Sequence, residues 1–207
     1  MAMLRAFKVG CLCGAIMALG SWPVFADEKS AAKDAKKVDL QVGDPAPSFE
    51  GRTDSDATWE SSARFGKKWV VVYFYPGDFT PGCMAQANAF RDAMHKLTDK
   101  GVEVVGISGD SVRTHDLFKK AQKLNFTLLA DEDGVIAGKF GVPFGKGGKV
   151  KAKDTDGKLI ELERAGTASR WTYIVDKNGK IAYKNTKVTP ADDAKKILEF
   201  LSKSENK

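Results

Sequence analysis

The most informative segment of the chain reads Val70-Val71-Val72-Tyr73-Phe74-Tyr75-Pro76-Gly77-Asp78-Phe79-Thr80-Pro81-Gly82-Cys83. Its first six residues are β-branched or aromatic without a break, which is typical of a strand covered on both faces. Thr80 is a residue type favoured at helix N-caps, and Pro81 suits the first helical position, where a missing N–H costs nothing. The segment therefore predicts a buried strand over 70–75 that turns directly into a helix with Cys83 in its first turn.

The rest of the chain continues this alternation of strands and helices. Apolar patterning predicts further strands over 102–107 and 126–130, and helices over 81–97, 111–124, 135–140 and 190–201. The strands 171–175 and 180–183 flank Asn178-Gly179, a strong hairpin signal. A β-α-β-α-β order closed by a hairpin and a helix predicts an α/β fold, with a mixed central sheet and helices on both faces. The glycine-rich and lysine-rich segment 145–158 is interpreted as a flexible, solvated loop.

Composition excludes several classes of protein. The 207 residues are 43% hydrophobic and 29% charged, which is unlike a collagen, a coiled coil or a disordered chain. Without residues 1–26 the net charge falls from +6 to +4, because that segment holds Arg5 and Lys8 and no acid. A charge of +4 spread over 181 residues is a weak field, so no nucleic-acid partner is predicted. We expect a single domain over 39–205.

The N-terminus has the order of a secretory signal peptide. Two positive charges precede the apolar run Val9–Leu19, which is too short to span a bilayer comfortably, and a small residue, Ala26, follows at the expected cleavage point. The prediction is a signal peptide over 1–26, cut after Ala26. The mature protein would then be periplasmic or secreted, with no stable membrane association, and an uncleaved membrane anchor is the alternative. Residues 27–38 are predicted to be a flexible spacer.

Cysteine usage directs attention to one thiol. Cys11 and Cys13 lie inside the predicted signal peptide, so Cys83 is the single thiol of the mature chain. A helix start offers uncommitted N–H groups and the positive end of the helix dipole, and both stabilise a thiolate. We therefore expect Cys83 to be substantially ionised at neutral pH and nucleophilic, whereas a buried structural cysteine is the alternative. His95 and His115 are too few and too far apart for a metal site, and no cofactor is predicted.

These residues resemble a known family. Pro76-x-x-x-Thr80-x-x-Cys83 is similar to the signature of the peroxiredoxins, which are thiol peroxidases on a thioredoxin-like fold. Other segments resemble the bacterioferritin-comigratory, or peroxiredoxin Q, branch, and the resemblance covers about residues 40–202. These segments are Gly43-Asp44-Pro45-Ala46-Pro47-x-Phe49, Tyr73-Phe74-Tyr75-Pro76, Phe90-Arg91-Asp92, Gly106-Ile107-Ser108 with Asp110, and Arg170-x-Thr172-Tyr173-Ile174-Val175-Asp176.

The resemblance implies a role for each site residue. Cys83 would be the peroxidatic nucleophile that attacks hydrogen peroxide or organic hydroperoxides. Thr80 would offer its hydroxyl to the thiolate and the peroxide, and Pro76 would shield the site from water. Arg170 would stabilise the thiolate and the polarising O–O bond. Such donors suit the reaction because negative charge develops on the leaving oxygen, and arginine is the better cation because it keeps its proton and can hold two oxygens.

The sequence departs from this branch where many relatives carry a resolving cysteine. That position is Asn88, so the hypothesis is a one-cysteine cycle in which an external thiol, from a thioredoxin-like protein or a small molecule, reduces the sulfenic acid. Gln86 also stands where relatives often carry glutamate. The segment 146–158 lengthens a connection relative to the family, and its alternative interpretation is a docking surface for an acidic reductant.

Two other function classes stay open. A copper-delivery protein on the same scaffold would need a second cysteine four residues after Cys83, and that position is Ala87. A catalytically silent thioredoxin-like binding module is the second alternative. Either a monomer or a homodimer agrees with the sequence.

Overall fold

The computed structural model describes residues 38–153 and 157–204. The predicted signal peptide, and all of the predicted spacer except Val38, lie outside these residues. The strands are β1 (Glu50–Thr53), β2 (Thr58–Glu60), β3 (Trp69–Phe74), β4 (Val102–Ser108), β5 (Thr127–Ala130), β6 (Phe144–Lys153), β7 (Leu159–Ala168), β8 (Trp171–Val175) and β9 (Ile181–Asn185). The helices are α1 (Pro81–Asp99), α2 (Val112–Gln122), α3 (Val135–Lys139) and α4 (Asp193–Ser204), and a 3-10 turn, Pro190–Asp192, leads into α4.

Seven strands form one mixed sheet in the order β2-β1-β5-β4-β3-β8-β9. The three central strands β5, β4 and β3 are parallel to one another, and the strands on either side join them antiparallel. Parallel strands need a crossover connection, and α1 and α2 supply the two crossovers. The arrangement confirms the predicted α/β fold with a mixed sheet.

Apolar side chains cover both faces of the sheet, as the unbroken apolar run in β3 predicts. Val71 and Tyr73 face a core formed with α1, α2 and α4. Val70, Val72 and Phe74 alternate with them and face a second core that includes α3. Side chains of successive strand residues point to opposite faces, so one strand contributes to both cores. Among the described helices, none combines the length and the apolar character needed to cross a membrane.

Most predicted elements agree with the structure to within a few residues. The strand predicted over 70–75 is β3, and the helix predicted to begin at Pro81 is α1, which begins there. The predicted closing helix is divided into the 3-10 turn and α4. The sequence analysis missed β1 and β2. These are short strands, and β1 has the composition Glu-Gly-Arg-Thr, which carries no local strand signal.

The prediction of a flexible loop is wrong for residues 145–153, which belong to β6. Residues of β6 and β7 pair antiparallel from Phe144 opposite Ala168 to Lys153 opposite Leu159, in a two-stranded sheet of their own. Residues 154–156 lie outside the described residues. Because both strands are largely polar and exposed, the segment carries no apolar run. The period-two alternation that marks a strand is instead between lysines and small or apolar residues.

Glutamates of β7 lie opposite lysines of β6 and offset part of their positive charge. Lys149 lies opposite Glu163, and Lys151 lies opposite Glu161. Lys149 Nζ is 2.8 Å from Glu161 Oε1. Opposite charges on facing strands stabilise the pairing of the strands, and here two glutamate carboxylates face the lysines. The alternative interpretation, in which these lysines attract an acidic partner, stays a prediction.

Candidate active site

Cys83 lies at the N-terminal end of α1, where the helix meets the carboxyl end of β3. Thr80 is the N-cap and Pro81 is the first helical residue, as predicted. The first intrahelical bond runs from Met84 N to Thr80 O, at 2.9 Å. Helix geometry leaves the earlier N–H groups of Gly82 and Cys83 without an intrahelical acceptor. The sulfur is nevertheless buried, since Cys83 is only 1% exposed, so a small electrophile reaches it more readily than a protein does.

Arg170 brings a guanidinium to this sulfur from a distant part of the chain. It lies directly before β8, which pairs with β3, and its Nη2 is 3.1 Å from Cys83 Sγ. The strand pairing carries the arginine across 87 residues of sequence to the helix start. A fixed cation and a helix N-terminus therefore converge on one buried sulfur, which is the arrangement that favours a thiolate.

Two buried side chains hold Arg170 in place. Arg170 Nη1 donates to Gln86 Oε1, and Gln86 Nε2 donates to Asp193 Oδ2 at 2.7 Å. The same carboxylate oxygen accepts from Thr172 Oγ1 at 2.8 Å. Burial raises the pKa of Asp193, and these two hydrogen bonds oppose that shift. The Asp193 carboxylate thus fixes which way the Gln86 amide points, so that its oxygen faces the guanidinium.

The Gln86 amide serves two partners of opposite charge, because its oxygen accepts from Arg170 and its nitrogen donates to Asp193. We expect Gln86→Glu to place a second carboxylate against Asp193 in a buried setting, where two such groups cannot both ionise. One of them then has a pKa raised above its unfolded value. The variant should therefore lose stability as pH rises above about 4.3, by on the order of 2 kcal/mol at pH 7. Urea unfolding of the variant and the wild type at pH 5 and pH 7 measures this difference.

The matched control for that prediction is the double variant Gln86→Glu/Asp193→Asn. It exchanges the carboxylate and the amide, so a single carboxylate is again present and a donor still faces it. Its stability should return to within about 1 kcal/mol of the wild type at pH 7. A stability gap for Gln86→Glu that stays constant between pH 5 and pH 7 would contradict the explanation.

Thr80 and Pro76 lie in the loop between β3 and α1. The Thr80 hydroxyl donates to the carbonyl of Gly77 at 3.1 Å. Thr80 is the N-cap residue, as predicted, but its side chain makes no capping hydrogen bond. Instead, the bond closes the loop on itself. Pro76 is partly buried at the end of β3. The roles of these two residues toward a peroxide stay predictions.

A second buried network supports the same loop. The Asp78 carboxylate accepts from Tyr75 Oη at 2.7 Å and lies 2.8 Å from His115 Nδ1. His115 Nε2 is 3.1 Å from the carbonyl of Leu129, so both ring nitrogens face acceptors, as a protonated imidazole requires. Burial alone lowers the pKa of His115, but the charge and hydrogen bond of Asp78 raise it above 6.5 overall. His115 is buried in α2 and also forms a pair with Asp78.

Sequence reasoning brought together Cys83 and Arg170 but missed their supports. Gln86 is a fully buried residue of α1. Its signal was its spacing, because Gln86 lies three residues after Cys83 and so on the same helix face. Asp193 is also fully buried, and it begins α4 without any local motif. His95, by contrast, is exposed and pairs with Asp99 at the far end of α1.

The described residues offer little for metal chemistry. They contain no group of three or more histidine, cysteine, aspartate or glutamate side chains placed to hold a metal ion. Ala87, where a copper-delivery protein would need its second cysteine, is buried in the core against the sheet. The site therefore consists of one thiol, one guanidinium and the hydrogen-bonded groups that orient them.

Comparison with known proteins identifies the family of the chain. The model of the AhpC/TSA family matches residues 42–184. A chloroplastic peroxiredoxin Q of Oryza sativa subsp. japonica is 43% identical over 144 residues, 70% of this chain and 58% of that protein. A chloroplastic peroxiredoxin Q of Populus jackii is 39% identical over 177 residues, 83% of this chain and 74% of that protein. The structure of a Xanthomonas campestris bacterioferritin comigratory protein has a TM-score of 0.63 and 27% identity, and the match covers 81% of this chain and 98% of that one.

The fold and the matched region define the class. The chain has the thioredoxin-like fold of these relatives and belongs to the AhpC/TSA family. Within that family its relatives place it with the peroxiredoxin Q, or bacterioferritin-comigratory, type. The match spans 58% of the length of the rice relatives.

Proposed function

We propose that this protein is a thiol-dependent peroxidase whose nucleophile is Cys83. The thiolate sulfur attacks one oxygen of a hydroperoxide and the O–O bond breaks. Cys83 becomes a sulfenic acid, and the leaving oxygen takes up a proton to form water or an alcohol. The thiolate supplies the electron pair for the new S–O bond. The Xanthomonas campestris relative is described by its alkyl peroxide reduction activity, which supports including organic hydroperoxides among the substrates.

One observation carries this proposal: the Arg170 guanidinium lies 3.1 Å from Cys83 Sγ. A structural cysteine has no need of a cation in contact with its sulfur, and a cation placed there stabilises both the thiolate and the charge that develops on the leaving oxygen. Burial of the sulfur excludes water and strengthens these interactions. The same groups would serve a binding module poorly, because they make the thiol reactive.

We further propose that an external thiol completes the cycle. Cys83 is the only cysteine outside residues 1–26, and the position of the usual resolving cysteine is Asn88. In α1, Asn88 donates to Gln122 at 3.2 Å and accepts from Arg91, so it is a helix-packing residue. The first external thiol displaces hydroxide from the sulfenic acid to give a mixed disulfide and water. A second thiol then releases Cys83 as a thiol and leaves an oxidised disulfide product.

Intact mass spectrometry tests this one-cysteine cycle. Mature protein treated with one equivalent of hydrogen peroxide should gain one oxygen atom and lose none of its hydrogens, because no second thiol can condense with the sulfenic acid. A loss of two hydrogens within one chain would refute the cycle. The same spectrum of exported protein tests two further proposals, cleavage after Ala26 and export to the periplasm or medium. The mass of the uncut chain would favour an anchor instead.

The electron donor is then identified by substitution of the reductant. Peroxide consumption is followed with dithiothreitol, glutathione or thioredoxin as the only thiol. We expect the small dithiol to support turnover, because Cys83 is buried and a small reductant reaches the sulfenic acid most readily. Turnover with thioredoxin would show that the first turn of α1 opens during the cycle.

A further inference from the structure

The β6–β7 hairpin reaches the loop before the active-site helix through one side chain. Arg164, in β7, donates from Nε to Asp110 Oδ1 at 2.9 Å and from Nη2 to the carbonyl of Asp78 at 2.9 Å. The arginine side chain is 10% exposed and that of Asp110 is fully buried. The peroxidase cycle described above gives Arg164 no part, so this buried ion pair needs its own explanation.

Arg164 and Asp110 together hold both backbone polar groups of Asp78. Asp110 Oδ2 accepts from Asp78 N at 2.8 Å, while Arg164 donates to Asp78 O. The guanidinium also lies against Gly77 so closely that a Cβ there would be 1.9 Å from Arg164 Cζ. Only glycine allows this approach. Arg164 of β7 and Asp110, which follows β4, therefore hold the loop in place at Gly77 and Asp78.

The loop held by Arg164 and Asp110 contains a residue in an unfavourable backbone conformation. Phe79 has φ of 58°, in the left-handed region that costs a bulky residue energy, and it packs edge-on against Phe118 of α2. Thr80 follows, bonded to Gly77, and its carbonyl accepts the first hydrogen bond of α1. A shift of Asp78 is thus passed directly to the helix turn that carries Cys83.

The hairpin is also held in place by its backbone, at the two residues that follow Arg164. Ala165 N donates to the carbonyl of Gly109 at 3.1 Å, next to Asp110. The backbone of Gly166 also packs against Gly109, where an added Cβ would lie 2.3 Å from Gly166 O. The base of the hairpin is therefore joined to the end of β4, although the hairpin forms a separate sheet. The backbone next to Arg164 is therefore held in place by these contacts with Gly109.

We propose that Arg164 is a positioning residue for the active site: acting through Asp110 and the backbone of Asp78, it sets the loop 77–80, and hence the Cys83 sulfur, for reaction. The hairpin then belongs to the support of the site. This inference goes beyond the proposed function and rests on Cys83 as the nucleophile. A displacement on the order of 1 Å at a reacting atom can cost up to about a hundredfold in rate, so a single support can matter.

The test compares Arg164→Gln with a control on the same hairpin, Lys149→Gln, whose exposed side chain pairs only with Glu161 among the described contacts. We expect Arg164→Gln to lower the second-order rate constant for hydrogen peroxide about tenfold, while Lys149→Gln stays within twofold. Amide hydrogen exchange should become faster at residues 78–84 of Arg164→Gln and stay unchanged in β3 and β4. Arg164→Lys should recover part of the rate, because one ammonium cannot span both acceptors.

A second variant separates positioning from the loss of a charge partner. Arg164→Gln leaves Asp110 buried and unpaired, whereas Arg164→Gln/Asp110→Asn removes both charges. Positioning predicts that the double variant is also slow with peroxide and shows the same local exchange. Recovery of the wild-type rate in the double variant, an unchanged rate in Arg164→Gln, or faster exchange spread evenly over the sheet would each overturn the proposal. The exchange measurement needs no catalysis, so failure of the proposed function would be seen separately.

Discussion

Replacing Cys83 with serine is expected to reduce hydroperoxide consumption to the rate seen with the reductant alone. A serine hydroxyl in the same place is not ionised at neutral pH and is a far weaker nucleophile toward an O–O bond. Removal of a covalent nucleophile costs on the order of a thousandfold or more. The measurement is the initial rate with hydrogen peroxide and dithiothreitol, with the second-order rate constant from stopped-flow fluorescence.

The fold of the Cys83→Ser variant should be intact. The exchange replaces one buried atom by a smaller one, and Arg170 can donate to the hydroxyl as it does to the sulfur. Circular dichroism and the thermal midpoint provide the control. Turnover above a few per cent of the wild-type rate in a folded variant would contradict the nucleophile assignment. If the wild type itself consumes no peroxide, the alternative of a silent binding module gains support.

The position of the thiol could be predicted from sequence because every signal for it is local. The apolar run of β3, the Thr80-Pro81 pair and Cys83 lie within fourteen consecutive residues, and the helix begins where those signals place it. Local patterns report on local structure, since they reflect which backbone conformations and burial a short segment allows. The predicted order of strands and helices in the central sheet was confirmed for the same reason.

The supports of the site could not be predicted in this way. Arg170 reaches Cys83 only because β8 pairs with β3, and sequence analysis assigned its role from the family resemblance alone. Asp193 and Arg164 also contact residues that are far away in the sequence, and each has the local pattern of an ordinary surface residue. Both are buried because specific partners neutralise or bond them, and those partnerships are set by tertiary structure.

The hairpin shows a different limit. Its strands contain glycines and lysines, and neither strand has a continuous apolar face, so propensity favoured a loop. What stabilises them is pairing with each other and the attachment of β7 to the end of β4. A polar hairpin of this kind is recognised only when both strands are considered together, by the match of Lys149 and Lys151 with the glutamates opposite.

Removal of the Arg170 guanidinium should produce the second largest loss of activity. We expect Arg170→Met to lower the second-order rate constant for hydrogen peroxide by about a hundredfold to a thousandfold, the usual cost of losing a donor directed at developing charge. The effect has two sources. The cation no longer stabilises the thiolate, and it no longer stabilises the leaving oxygen. Rapid-mixing kinetics at pH 7 measure the combined loss.

The two sources can be separated by measuring the thiolate directly. Alkylation of Cys83 by iodoacetamide at pH 7 involves no O–O bond, so a slower alkylation in Arg170→Met than in the wild type reports the first source alone. The further loss seen with peroxide then isolates the effect on the leaving oxygen. Arg170→Lys keeps the charge but cannot bond both Cys83 Sγ and Gln86 with a rigid fork, so its rate should lie between those of the methionine variant and the wild type.

A surface arginine provides the matched control. Arg113, an exposed residue of α2, can be changed to methionine with the same loss of formal charge, and the rate constant should stay within twofold of the wild type. If Arg170→Met and Arg113→Met fall together, long-range charge rather than the contact at Cys83 governs the reaction. If neither the alkylation rate nor the rate with peroxide changes in Arg170→Met, the guanidinium has no catalytic part. A large loss in Arg170→Met alone would establish that the 3.1 Å contact with the sulfur is what makes this thiol reactive.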